Sequence, residues 1–364
     1  LPIRTSACSL VLVLTVIWPE NFSVLTHFLL DAGSGNYNSK LEGIANMHCV
    51  ITGVAGFIGS SLCDRLLKDG HTVKGIDCFV DYYPAEIKRH NLLQAQDNAR
   101  FEFIEEDLLS TNMDYLLEDA DWVFHQAAQA GVRASWGEYF DSYCQNNVLA
   151  TQRLLEASKG HKGIKKIVFA SSSSIYGLAE SFPTKENMRP QPISPYGVTK
   201  LASENLMTLY ASEFQVPTAS LRYFTVYGPR QRPDMAFNRF IRAALKSEEL
   251  TLYSDGLQSR DFTYIDDIVQ ANVLAASNGE VGGVYNIGGG TQATMNEAIE
   301  IIRSHVGELS IRHEPRQFGD ARHTGADTSA AKKVLGFAPR VSLAEGIGRE
   351  VEWMKEHLAT FTQK

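Results

Sequence analysis

One pattern narrows the fold of this chain more than any other. The apolar run His48–Thr52 leads directly into Gly53-Val54-Ala55-Gly56-Phe57-Ile58-Gly59, and a helical pattern follows over residues 58–68. Gly53 suits a tight turn, Gly56 lets the backbone approach a ligand, and Gly59 permits close packing of helix on strand. A helix opening at such a turn offers free N–H groups and a partial positive charge, here from the backbone around Phe57 and Ile58, which suits a pyrophosphate. The spacing G-x-x-G-x-x-G departs from the commoner G-x-G-x-x-G, so the glycines need support from context. Asp77, in Gly75-Ile76-Asp77 at the end of the next strand-like run, supplies it, standing about 20 residues on as a ribose-binding carboxylate does in dinucleotide sites. A carboxylate there accepts from both ribose hydroxyls and repels a 2′-phosphate. Cys78 and Phe79 bring no cation beside it in sequence, so NAD is expected rather than NADP.

The alternation continues. Runs at 48–52, 72–76, 101–104, 122–125, 166–170 and 218–221 read as strands, and 58–68, 87–96, 142–158 and 195–213 have helical spacing. This predicts an α/β fold with a doubly wound parallel sheet of Rossmann type, whose ligands bind beyond the carboxyl ends of the strands. After Tyr223 the alternation loosens. A helix at 237–246, a strand at 284–287 and a closing helix at 343–357 read as a smaller α+β lobe. The expected organisation is an NAD-binding domain over 47–222 and a substrate-binding domain over 223–364, with some segments of the second returning to the first. Residues 1–46 read as an extension outside the fold. Their apolar run from Leu10 to Trp18 is too short to span a bilayer, which takes about 20 apolar residues.

With 34 basic and 42 acidic residues the net charge is −8, and no Lys/Arg-rich run suggests nucleic acid or an anionic membrane. An anionic substrate would need a few arginines placed locally. The five cysteines are scattered, with no C-x-x-C pair and no His-rich company, so neither a disulfide framework nor a metal site is expected, and a cytoplasmic setting is.

Three further strand ends carry polar or small residues. Asp107-Leu108 stands where an adenine would lie, and Ala127-Ala128 where a nicotinamide ribose would pass. After the fifth strand comes Ser171-Ser172-Ser173-Ser174-Ile175-Tyr176-Gly177. Downstream, Tyr196 and Lys200 form Tyr-x-x-x-Lys, and residues four apart on a helix share a face. A phenol near pKa 10 is a poor base at neutral pH, and a neighbouring ammonium favours its ionised form.

The glycine run, Asp77, the serine run with Tyr-Gly and Tyr-x-x-x-Lys, in this order, resemble the extended short-chain dehydrogenase/reductases from Met47 to the C-terminus. The resemblance implies that Ser172, Tyr196 and Lys200 are catalytic, with Lys200 and Tyr223 also meeting the cofactor. It further implies oxidation at C4 of a UDP-sugar by NAD. Dehydratases of the family carry Asp-Glu, and decarboxylases Ser-Glu, where this chain has Ser173-Ser174, which leaves a 4-epimerase. Arg222-Tyr223-Phe224-Thr225-Val226-Tyr227-Gly228-Pro229, ending in Arg232-Pro233-Asp234-Met235, is similar to UDP-glucuronate 4-epimerases. So are Asp81-Tyr82-Tyr83 and the segment with Arg133. Ser173, Ser174 and Thr225 are then expected to hold the sugar, Arg232 its carboxylate or adjoining phosphate, and Arg260 and Arg322 the diphosphate. Other readings are a 4-epimerase of UDP-glucose or UDP-N-acetylglucosamine, a UDP-glucuronate decarboxylase, and an NAD-binding regulator. The resemblance also implies a homodimer paired through two helices, 87–96 or its neighbour and 142–158, and the apolar stripe at Val148, Leu154 and Leu155 would face either the partner or the sheet.

Overall fold

The computed structural model describes residues 46–362, so the reading of residues 1–46 lies, apart from Asn46, outside them. Six strands form where the apolar runs predict: β1 (His48–Thr52), β2 (Thr72–Ile76), β3 (Phe101–Ile104), β4 (Trp122–His125), β5 (Lys166–Ser172) and β6 (Thr218–Tyr223). Every residue of β4, β5 and β6 is buried, which is why these strands read as continuous apolar runs rather than as alternation. With β10 (Gly283–Ile287) they make a seven-stranded parallel sheet in the order β10-β6-β5-β4-β1-β2-β3. Strand order reverses beside β1, between β2 and β4, and a crevice beyond the strand ends at that point is the ligand position of such folds.

Helices cover the sheet. They include α1 (Phe57–Lys68), α2 (Ala85–Gln96), α3 (Met113–Leu117), α4 (Phe140–Tyr143), α5 (Ala150–Ser158) and α6 (Pro195–Phe214). Helix α6 starts where its sequence says it should: the Ser194 hydroxyl accepts from Gly197 N (3.1 Å) and Pro195 follows at the first turn. It stops at Gln215, whose φ of 56° is left-handed.

The helix expected over 142–158 is not continuous. A π-helical stretch, Cys144–Leu149, separates α4 from α5. Asn147 inside it bonds Gln129 through both amide atoms (2.7 and 3.1 Å) and Thr199 Oγ1 (2.9 Å), while its carbonyl takes the hydroxyls of Thr151 and Ser203. Such a widened turn frees a carbonyl from the helical ladder, and here side chains of α5 and α6 use it. Leu154 and Leu155 are fully buried in the core with Ile167, Phe169 and Met207, so they are not an interface stripe. They face the core on the apolar side of α5, alongside Leu116 of α3 and Met207 of α6.

Beyond β6 the chain forms β7 (Thr225–Tyr227), β8 (Leu250–Tyr253), β9 (Ser259–Tyr264), β11 (Gln292–Thr294) and β12 (Ile311–Glu314), in sheets β11-β9-β7 and β12-β8. Helices α7 (Ala236–Leu245), α8 (Ile265–Asn278), α9 (Met295–Val306) and α10 (Leu343–His357) complete it. Strand β10 comes from this later stretch and pairs with β6, Gly283 beside Ala219 through Ile287 beside Tyr223. Among the described residues no helix is long and apolar enough to cross a membrane.

Candidate active site

The turn after β1 is built as its glycines predict. Gly53 has φ of 70° and its N–H bonds Ile76 O (2.8 Å); a Cβ there would stand 2.7 Å from the Ala127 backbone. A Cβ on Gly59 would stand 2.2 Å from Gly53 O, so α1 packs on the turn only with glycine at both places. The amides of Phe57, Ile58 and Gly59 precede the first intrahelical bond, Ser60 N to Gly56 O (3.0 Å). All four residues from Gly56 to Gly59 line a cleft at the strand ends, together with Asp77, Asp107, Leu108, Ala127, Ala128, Tyr196, Lys200 and Tyr223. The cleft thus gathers the residues expected to hold a dinucleotide, and Gly53 packs against the Ala127 backbone in its wall with no room for a side chain.

Asp77 is half-buried in this cleft and is also a structural acceptor, taking Phe79 N (2.9 Å) and Ala55 N (3.1 Å). Burial pushes its carboxyl up, while the Phe79 amide, the Lys88 ammonium and the Ala55 amide act the other way. Lys88 corrects the expectation that no cation stands near Asp77. It reaches in from α2, eleven residues along the sequence, bonding Val80 O and lying 4.7 Å from the Tyr83 ring centre. NAD over NADP therefore rests on the Asp77 charge alone, against a cation that would accept a phosphate. Asp77→Asn should weaken NAD binding roughly ten-fold, the worth of about one charge-assisted hydrogen bond, and should raise NADP binding. Cofactor titration of stripped protein checks this; an unchanged preference would move the ribose contact elsewhere.

Tyr196 lies on α6, half-buried in the wall of the cleft. Burial holds its phenol above the ordinary range, while the Ser172 hydroxyl and the Arg232 guanidinium favour the ionised form. Ser172 ends β5, and its hydroxyl also accepts Ser174 N (3.1 Å), which turns the serine run sharply. Tyr143 meets the Tyr196 ring edge-on at 6.2 Å. One turn along α6, Lys200 donates to Ala170 O (2.7 Å), and burial brings its pKa down to about 7, with Glu204 opposing. His125 is structural, held between Thr52 Oγ1 (2.7 Å) and Thr151 Oγ1 (3.0 Å).

A second cavity is lined by Ser173, Ser174, Thr225, Arg260 and His323, with Val132, Phe224 and Asp320. Ser172 and Tyr196 thus stand between residues of the cofactor cleft and residues of this pocket. The arginines do not all converge on it. Arg232 lines the cofactor cleft instead, its Nε and Nη2 forking onto Asp234 (3.0 Å each), and Tyr82 OH reaches the same carboxylate (3.2 Å). Arg322 is exposed and forks onto Asp255 (2.8 Å twice), beside Arg260 in a neighbouring hollow. Arg133 binds Asp320 (2.8 Å) over the Tyr253 ring. Tyr223 turns its hydroxyl to Asn272 (2.9 Å), leaving its ring to the cleft. Sequence reading missed Lys88, Asn147 and Asp234, each tied in by a contact distant in the chain or by a loop turn that no spacing announces.

Residues 49–288 match the model of the NAD dependent epimerase/dehydratase family. The chain is 44% identical to a solved UDP-glucuronic acid 4-epimerase from Bacillus cereus in complex with UDP-glucuronic acid and NAD; the match covers 85% of this chain and 99% of that one, at a TM-score of 0.83. It is 39% identical over 319 residues to the UDP-glucuronate 4-epimerase of Thermodesulfobacterium geofontis, covering 85% and 96% of the two chains. It is also 44% identical over 311 residues to the uncharacterized UDP-glucose epimerase YtcB of Bacillus subtilis, covering 85% and 98%.

Proposed function

The chain belongs to the NAD-dependent epimerase/dehydratase family, and on that premise we propose that it interconverts UDP-glucuronate and UDP-galacturonate by oxidation and re-reduction at C4. The observation that carries this reading is the placing of Tyr196 and Lys200 in a dinucleotide cleft, with Ser172 leading from that cleft into a serine- and threonine-lined sugar pocket. NAD, when bound, accepts the C4 hydride and returns it. Tyr196 as phenolate takes the proton of the C4 hydroxyl, and Ser172 hydrogen-bonds the same oxygen. Lys200 supports the phenolate with its charge and meets the nicotinamide ribose. Gly53, Gly56, Phe57, Ile58 and Gly59 hold the pyrophosphate, and Asp77 the adenine ribose, with Asp107 and Leu108 at the adenine and Ala127, Ala128 and Tyr223 along the nicotinamide half.

The 4-keto sugar turns about its diphosphate linkage in the second pocket, so that its other face meets the cofactor, and Tyr196 returns the proton. Ser173, Ser174 and Thr225 hold the sugar carboxylate so that its bond to the ring is not aligned with the carbonyl π system, the alignment in which a β-keto acid loses carbon dioxide. Arg260 reaches the sugar pocket for the diphosphate; Arg322 and Arg133 serve it by releasing Asp255 and Asp320. Incubation with UDP-glucuronate followed by product separation tests the reading, a UDP-galacturonate peak supporting it and its absence opposing it. The resemblance to YtcB keeps UDP-glucose as a second reading.

We also place the protein in the cytoplasm, a reading supported by its scattered cysteines, and as a homodimer. The π-helical stretch, α5 and α6 pack side by side and expose Leu149, Leu209 and Phe214, each 50% accessible, where a second copy would cover them. Leu149→Asp with Leu209→Asp should convert a dimer to monomer in sedimentation; an unchanged mass would exclude this face.

A further inference from the structure

Behind the catalytic groups lies a buried polar network that the reaction as described leaves unused. Glu204 follows Lys200 by one turn, so Tyr196, Lys200 and Glu204 occupy successive turns of one face of α6. Its carboxylate accepts three kinds of bond. Arg222 of β6 reaches it through Nη2 (2.7 Å) and Nε (3.0 Å), and Ser171 through Oγ (2.5 Å). Arg222 also donates from Nη1 to Tyr176 OH (2.5 Å) and Glu186 O (2.9 Å), and Tyr176 OH donates to Asn286 Oδ1 (2.7 Å). The side chains of Arg222 and Glu204 are 6% and 4% accessible.

Ser171 and Tyr176 bracket the turn that carries Ser172, Ser173 and Ser174. Both of its ends are thereby bonded to one ion pair, Ser171 to the acid and Tyr176 to the base. The same acid is the electrostatic partner of the Lys200 ammonium. An ion pair removed from water is held only where every lone pair and proton finds a partner, and this one does so by gripping the catalytic turn. We propose that Glu204 and Arg222 are positioning residues of this enzyme, which fix the serine turn at both ends and set a carboxylate behind Lys200. The inference rests on the function proposed above only in taking Ser172, Tyr196 and Lys200 as the reacting groups.

The groups facing Lys200 are Glu204 on its own helix and His125 from β4, and those facing Tyr196 are Ser172, Tyr143 and Arg232. His125 is held neutral by burial, its pKa lowered to about 3, so Glu204 is the charge that keeps the Lys200 proton in place. Glu204→Gln removes that charge and keeps the shape. Lys200 then loses its proton at lower pH.

The test is an NMR titration of the lysine side chains of the NAD-loaded protein, with the Lys200 signal identified as the one absent from Lys200→Met. In Glu204→Gln this signal should titrate lower by about one pH unit. Turnover near pH 7 should fall roughly ten-fold. Ser171→Ala, which releases one end of the turn and leaves the carboxylate, should lower turnover without moving the titration. Because Arg222 alone would be left charged and buried, the double variant Glu204→Gln/Arg222→Gln is measured too, and its titration should move in the same direction. A titration unmoved in both Glu204 variants, or turnover in Ser171→Ala equal to wild type, would overturn the proposal. The titration reads Lys200 whatever sugar is used, so wild-type failure on UDP-glucuronate would count against the substrate and not against the pair.

Discussion

Tyr196→Phe should leave a folded, NAD-bearing protein whose turnover has dropped by about 10²- to 10⁴-fold, the contribution of a positioned general acid–base. The change removes one oxygen from a half-buried ring. The edge-on contact with Tyr143 needs only the ring, so packing is preserved. What disappears is the acceptor for the C4 proton and the partner of the Ser172 hydroxyl. Cofactor absorbance of the purified variant, beside its rate with UDP-glucuronate, separates the two effects. Near-normal turnover would remove Tyr196 from the acid–base role, and loss of cofactor would show that the hydroxyl serves binding.

The second large effect is expected at Arg232. Its fork is engaged by Asp234, its plane lies 5.8 Å from the Tyr82 ring centre, and it favours the ionised form of Tyr196. Arg232→Lys keeps the charge near the phenol but loses the planar, two-pronged geometry. Catalytic efficiency with UDP-glucuronate should fall about ten- to a hundred-fold, corresponding to about 1.5–3 kcal/mol for a hydrogen bond to a charged group. If the guanidinium's remaining edge meets the sugar acid, UDP-glucose turnover should fall less. The loosened 4-keto acid should also lose carbon dioxide and yield a UDP-pentose by-product. Equal losses on both sugars with no pentose would confine Arg232 to orienting Tyr196 and the cofactor side.

The parallel sheet was legible because buried strands announce themselves as short Val-, Ile- and Phe-rich runs, and the bounds of β1, β2, β3 and β4 agree with those runs. The glycine turn, Asp77, the serine run and Tyr-x-x-x-Lys were legible because each is a local motif at a strand end or on one helix face. Other features depend on partners far along the chain. Lys88 approaches Asp77 only through the course of the loop before α2, and Arg222 meets Glu204 only because β6 lies next to β5 and under α6. Leu154 and Leu155 could have faced a partner or the sheet, because helical spacing reveals an apolar face without saying what covers it; they face the core. Arg232 was expected at the sugar pocket because its motif names the residue types, whereas the side it faces is decided by Asp234 two residues on. The π-helical stretch has no spacing signal, since it exists to free the Asn147 carbonyl for Thr151 and Ser203.

The central claim, a 4-epimerase of a sugar acid, is tested most directly by initial rates of the NAD-loaded protein with UDP-glucuronate and UDP-glucose side by side. The account predicts that UDP-glucuronate gives UDP-galacturonate with kcat/KM roughly ten-fold or more above that for UDP-glucose, the worth of one charge-assisted contact to the carboxylate. Turnover of UDP-glucose with UDP-glucuronate left unchanged would contradict it.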